Sequence, residues 1–123
     1  MKRFLSLLTA VMLGGTMMAQ AVIKFDKSKH DFGSFSRNQI QVYEFEFTNT
    51  GNEPLVIQQA FGSCGCTVPQ PPKDPIAPGQ KGKIKVSYNG KGQYKGPFRK
   101  SITVRTNASN AISRIYITGV LND

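Results

Sequence analysis

Two cysteines, Cys64 and Cys66, stand one glycine apart in the stretch Phe61-Gly62-Ser63-Cys64-Gly65-Cys66-Thr67. In an extended strand, residues two apart point the same way, so both thiols would share one face. Their Cα atoms would then lie roughly 6.5–7 Å apart, at or past the edge of disulfide geometry. A bridge therefore requires a bend, which Gly65 permits because it lacks a Cβ. Such a staple is weak, since closing about three residues removes only ~1.6 kcal/mol of unfolded-state entropy. Three readings stay open: two small side chains of ordinary structural use, a strained and easily reduced disulfide for thiol exchange, or a pair of thiolates for Cu(I) or half a zinc site.

Two thiolates match the near-linear or trigonal demands of Cu(I), and His30, the single imidazole in the chain, is the one that could join them. A lone histidine near a strand start is more often an ordinary polar residue than a ligand. All four methionines lie at positions 1, 12, 17 and 18, so no thioether accompanies the thiols. No metal is firmly assigned and no cofactor is expected. An exchanger of the CxxC kind draws its low thiol pKa from a helix N-terminus, and no helical pattern follows Cys66. Glu44 and Glu46 lie two apart on one strand, a spacing that overlaps the carboxylate pair of inverting glycosidases. Neighbours in one strand do not flank a bond in a cleft, so the pair reads as a solvated face. Only His30 could complete a nucleophile-base constellation, and nothing sets it beside a nucleophile, so no catalytic residues are assigned.

The segment from Asn89 to Pro97 holds Gly90, Gly92 and Gly96 among lysines, and reads as a mobile basic loop between two strands. It fits no phosphate-loop spacing. Lys91, Tyr94, Lys95, Arg99 and Lys100 form the candidate contact surface for an anionic partner. Asn107-Ala108-Ser109 is a formal glycosylation sequon.

The elements that hold these residues follow a targeting segment. Lys2 and Arg3 precede an apolar run from Phe4 to about Leu13, then small residues and Ala19-Gln20-Ala21. This is the pattern of a secretory signal peptide over residues 1–21, too short in its apolar part to span a bilayer. An exported protein, periplasmic or extracellular, is expected, and nucleic acid is not among its expected partners. The remaining residues 22–123 suffice for one domain. Of the 16 Lys and Arg, two leave with the leader, so 14 face 7 Asp and Glu and the formal charge is +7. That balance favours an acidic envelope protein or an anionic envelope polymer as partner.

Strict alternation from Gln41 to Thr48, with Tyr43, Phe45 and Phe47 on one face, predicts a half-buried antiparallel strand. Lys83 to Tyr88 and Lys100 to Thr106 alternate likewise, and Ile112 to Leu121 is a more continuously apolar strand. Shorter pieces at Val22–Phe25, Phe32–Phe35 and Leu55–Ile57 complete about seven antiparallel strands. Turn formers separate them, among them Pro78-Gly79, which predicts a type II turn. Five prolines between Pro69 and Pro78 exclude a central strand there. The fold class is an all-β, immunoglobulin-like sandwich.

Several motifs taken together carry a resemblance. Phe32-Gly33, Phe45-x-Phe47-Thr48-Asn49-Thr50-Gly51 and Pro54-Leu55-x-Ile57 precede Ser63-Cys64-Gly65-Cys66-Thr67. Pro75-Ile76-x-Pro78-Gly79, Gly96-Pro97-Phe98-x-Lys100-Ser101-Ile102-Thr103-Val104 and Ile117-Thr118-Gly119 follow it. The chain resembles the bacterial secreted family called domain of unknown function 1573, marked by its CGCT signature. The resemblance implies an immunoglobulin-like sandwich similar to hydin-type (ASH) and major-sperm-protein domains. It implies no activity and no catalytic residues. The function expected is noncatalytic recognition or scaffolding at the envelope. The rival is a thiol protein, a disulfide exchanger or a Cu(I)/Zn(II) carrier, using Cys64 and Cys66.

Overall fold

A computed structural model describes residues 19–123. The leader expected over residues 1–21 therefore lies outside the described residues except for its last three. Eight strands form two four-stranded sheets packed face to face. The first sheet runs β1 (Ile23–Phe25), β3 (Gln41–Asn49), β6 (Lys81–Tyr88), β5 (Thr67–Gln70). The second runs β2 (Lys29–Ser36), β8 (Ile112–Asn122), β7 (Gly96–Thr106), β4 (Ile57–Gly62). Among the described residues no helix is long and apolar enough to cross a membrane.

The alternating pattern sets the core. Phe45 and Phe47 from β3 and Ile84, Val86 and Tyr88 from β6 turn inward from one sheet. Ile102 and Val104 from β7 and Ile115, Ile117 and Leu121 from β8 meet them from the other. Each such side chain contributes about 1.5–3 kcal/mol when taken from water, and together they fix the register, because a one-residue slip would turn them all outward. β3 and β6 pair antiparallel over eight rungs, from Gln41↔Tyr88 to Thr48↔Lys81.

Three features differ from the sequence expectation. The sandwich is not wholly antiparallel, because β2 pairs parallel with β8, with a register shift between Asp31 and Ser34. An eighth strand, β5, holds Pro69. It is an edge strand, where a residue that cannot donate to the ladder is tolerated. Leu55 and Val56 lie outside β4, and Leu55 instead bridges Ile76 across the proline-rich segment. The turn at Pro78-Gly79 is as expected: the Gln80 amide donates to the Ala77 carbonyl at 3.0 Å, and Gly79 takes φ +80°.

Candidate functional site: a loop pole around the Cys64–Cys66 disulfide

The chain leaves β4 at Gly62, turns through residues 63–66 and enters β5 at Thr67. Cys64 and Cys66 are joined as a disulfide, with Cα atoms 5.2 Å apart, shorter than an extended strand allows. The bend is a turn closed by the Thr67 amide on the Cys64 carbonyl at 3.2 Å. Gly65 does not supply it through a left-handed backbone: its φ is not positive, and a Cβ built there meets nothing within 4 Å. The bend resides in the turn and the bridge, not in glycine's conformational freedom.

Both cysteines are half-buried, and Cys66 packs against the core. The buried Thr67 hydroxyl lies 3.7 Å from Cys64 Sγ and 3.6 Å from Cys66 Sγ, within reach to donate to either. On one side the Ser63 amide donates to the Ser101 carbonyl at 2.9 Å, and on the other the Asn89 amide donates to the Cys66 carbonyl at 2.9 Å. The disulfide turn is thus tied to β7 and to the end of β6.

Those ties gather three connections at one pole. The β6–β7 loop meets the disulfide turn through Asn89, and Arg37 of the β2–β3 turn donates from Nη1 to the Gln93 carbonyl at 2.9 Å. The loop expected to be mobile is held further by the Gln93 amide on the Gly90 carbonyl and by the Lys91 amide on Asn89 Oδ1, both at 3.0 Å. Tyr94 projects from it, 95% exposed. Lys95 pairs with Asp123 at 3.1 Å, which holds that carboxyl below its usual range.

Of the five residues expected in the basic surface, only Lys91, Tyr94 and Lys95 are on the loop. Arg99 and Lys100 belong to β7. Arg99 lays its guanidinium over the Tyr116 ring at 4.4 Å, while Lys100 is half-buried. Tyr94, Arg99 and Lys100 nonetheless line one hollow of about 220 Å³ with Tyr88 and Gln93. Arg37 joins this pole through tertiary structure alone, a placement that no local motif signals. Thr67 could have been found, since it completes the CGCT run. On the outer face beside the disulfide, Val42 and Val68 flank Ser87 and are exposed, as is Ile40.

The other candidates lie elsewhere. His30 is on β2, the edge of its sheet opposite β4, about 14 Å away at ordinary strand spacing. It stacks on Tyr43 with ring centroids 3.7 Å apart and planes 9° apart, and meets Phe32 edge-on at 4.8 Å. Burial, and then the charge of Lys27, hold its pKa below the ordinary value, with Asp31 opposing. Among the described residues no group of three His, Cys, Asp or Glu could hold a metal ion. Glu44 and Glu46 sit on the exposed face of β3, Glu44 3.6 Å from Lys83, beside a shallow hollow of about 630 Å³. The sequon asparagine is a structural tie: Asn107 Oδ1 accepts from the Val56 amide at 2.8 Å and Nδ2 donates to the Pro54 carbonyl at 3.0 Å.

A family model described as a protein of unknown function (DUF1573) matches residues 23–121, and the chain belongs to that family. A Porphyromonas gingivalis W83 protein of unknown function superposes with a TM-score of 0.75 at 17% identity, covering 84% of this chain and 48% of the other. The chain thus spans about half the length of that structure. The ASH/PapD-like domain 7 of human CEP192 gives 0.64 at 9% identity, over 94% and 95% of the two chains. WR4, a C. elegans MSP family member, gives 0.50 at 9% identity, over 85% and 100%. At such identities these likenesses speak of the sandwich fold alone. No curated protein matches the chain in sequence.

Proposed function

We propose that this member of the DUF1573 family is an exported recognition module that grips its partner with the loops of one pole and performs no reaction on it. The observation that supports this is the convergence of three connections, carrying Arg37, Lys91, Tyr94 and Lys95, around a bonded Cys64–Cys66 turn. Cationic side chains on the same loop as exposed Tyr94, with Ile40, Val42 and Val68 exposed at the adjoining starts of β3 and β5, combine an apolar contact with a charged rim, the usual anatomy of a recognition surface. The partner is an acidic envelope protein or an anionic envelope polymer, drawn in by charge and held by the apolar contacts.

Pairing at a sheet edge is the weaker means. β1 has three residues, β5 has four with a proline among them, and β2 and β4 both carry register shifts. Short, bulged and proline-bearing edges are those that resist a further strand. The test is capture from an envelope extract on immobilised protein at low salt and again at about 0.5 M, where the Debye length falls to a few ångströms. The wild type should retain a partner at low salt and release it at high salt, and Lys91→Glu/Lys95→Glu should retain none. An empty low-salt capture sinks the reading.

A second reading, thiol–disulfide exchange, is favoured by one observation. Neither bridged cysteine is fully buried, and the Thr67 hydroxyl is placed to donate to a thiolate released from either. In that reaction a substrate dithiol gives two electrons and two protons to the bridge and leaves as a disulfide. Exchange suits the bonded pair better than metal carriage, because bridged sulfurs present no thiolate and His30, the one imidazole that could add a third ligand, lies at the opposite sheet edge from β4. Oxidation of about one equivalent of a model dithiol by wild type but not by Cys64→Ser would favour this second reading.

A further inference from the structure

The residues that open the described chain are built into the domain. Ala21 is 1% exposed and belongs to the core cluster. Its carbonyl accepts from the Ser109 amide at 2.9 Å. One residue earlier, the Gln20 amide donates to Asn52 Oδ1 at 2.8 Å, and the Asn52 amide returns a bond to the Gln20 carbonyl at 3.0 Å. Gly51 fits beneath this segment: a Cβ there would collide with the Gln20 carbonyl oxygen, and would stand 2.7 Å from the Val22 nitrogen and 2.8 Å from the Ala21 carbonyl carbon.

Resting on the export reading above, we infer that the leader is cut between Ala19 and Gln20, so that the exported protein begins at Gln20. Signal peptidases ask for a small residue just before the cut, and both Ala19 and Ala21 qualify on that ground. The A-x-A pattern by itself favours a cut after Ala21. Structure reverses the choice. A cut after Ala21 strips a core residue and leaves the Ser109 amide without its acceptor. It also turns the half-buried Val22 nitrogen, which donates to buried Asn49 Oδ1 at 3.3 Å, into a charged ammonium. A cut after Ala19 keeps all of these, and the new terminus falls at exposed Gln20.

The experiment is the intact mass of the full-length chain after export from a bacterial host. Hydrolysis at the Ala19–Gln20 bond gives a chain from Gln20 to Asp123, either with its free amine or after that amine has closed onto the Gln20 side-chain amide with loss of ammonia. Either mass supports the inference, and a chain beginning at Val22 overturns it. A chain that keeps its leader overturns the export reading first, and this inference with it. Ala21→Phe supplies a check that does not depend on folding, because the mass is read on denatured protein. A bulky residue there blocks a cut after position 21 and is indifferent to one after 19. The variant should therefore lose its leader as the wild type does, and a retained leader would overturn the inference.

Discussion

The backbone amide of Asn89 donates to the carbonyl of Cys66 at 2.9 Å, fastening the basic β6–β7 loop to the disulfide turn. The bond is made by main chain, so it does not depend on the sulfur atoms. Replacing both cysteines by serine should therefore leave the loop where it is and cost little stability. The entropic ceiling for so short a ring is ~1.6 kcal/mol, or a fall in melting temperature of at most about 10 °C for a domain of this size. Calorimetry of the double serine variant, with and without reductant on the wild type, measures this. Under the recognition reading, salt-sensitive capture survives the replacement. A larger loss of stability would show that the bridge organises the pole.

Gly65 gives a sharper check on how the turn is made. Its backbone is not left-handed and the space at its missing Cβ is open. Gly65→Ala should still form the disulfide, and should change stability by no more than about 1 kcal/mol, in the stabilising direction if at all, because alanine has less freedom to lose on folding. Thiol titration and a denaturation curve decide the matter. A variant that stays reduced would return to Gly65 the role that its sequence position suggests.

Much of the fold is legible in the chain because β3 and β6 bury one face only, and a half-buried strand writes its period into the sequence. Phe45 and Phe47 against Glu44 and Glu46 can be read without coordinates. The parallel pairing of β2 with β8 cannot, because β2 is an edge whose residues Asp31, Gly33 and Ser34 carry no period. β5 hides behind its proline. For the site, the sulfur spacing is explicit in the sequence, and the need for a bend follows from strand geometry. That Arg37 and Gln93, 56 positions apart, meet beside the disulfide depends on which loops share a pole, and local pattern does not encode this. The burial of Ala21 is illegible for another reason: a single small residue at the end of a leader-like pattern carries no period that marks it as core.

His30 gives the fold a pH dependence with a definite sign. Burial against Tyr43 and Phe32, then the nearby Lys27, hold its folded pKa below the ordinary value of about 6.5, with Asp31 acting in the opposite direction. The unfolded chain thus binds more protons than the folded one in the interval between the two values, and stability there rises with pH. It should be full above about pH 6.5, fall as the pH drops below that value, and level off below the lower folded-state pKa. His30→Phe keeps an aromatic ring against Tyr43 and should abolish this slope. Urea midpoints for both proteins between about pH 8 and pH 5, above the range where carboxylates titrate, test it. Parallel curves for the two proteins would remove His30 as the cause.

Asn49 ends β3 fully buried, with every hydrogen-bonding position of its amide in use. Oδ1 accepts from the Val22 amide at 3.3 Å and from the Gly51 amide at 3.0 Å, while Nδ2 donates to the Glu53 carbonyl at 2.7 Å and the Ile76 carbonyl at 2.9 Å. One side chain thus joins the segment before β1, the turn after β3 and the proline-rich stretch before β6. Asn49→Asp has nearly the same shape but supplies no donor, so the Glu53 carbonyl loses this partner, the Ile76 carbonyl keeps only its bond from the Leu55 amide, and a carboxylate is buried against them. A buried carbonyl left without a donor costs about 1–3 kcal/mol, and a buried charge costs more unless it takes up a proton. The variant should lose at least about 3 kcal/mol at neutral pH and recover part of it in acid, as protonation removes the charge and restores one donor. Asn49→Ala lacks the charge and should show no such recovery. Denaturation of both variants at pH 7 and near pH 5 separates the two effects, and equal losses for aspartate and alanine at both pH values would show that the donors alone matter.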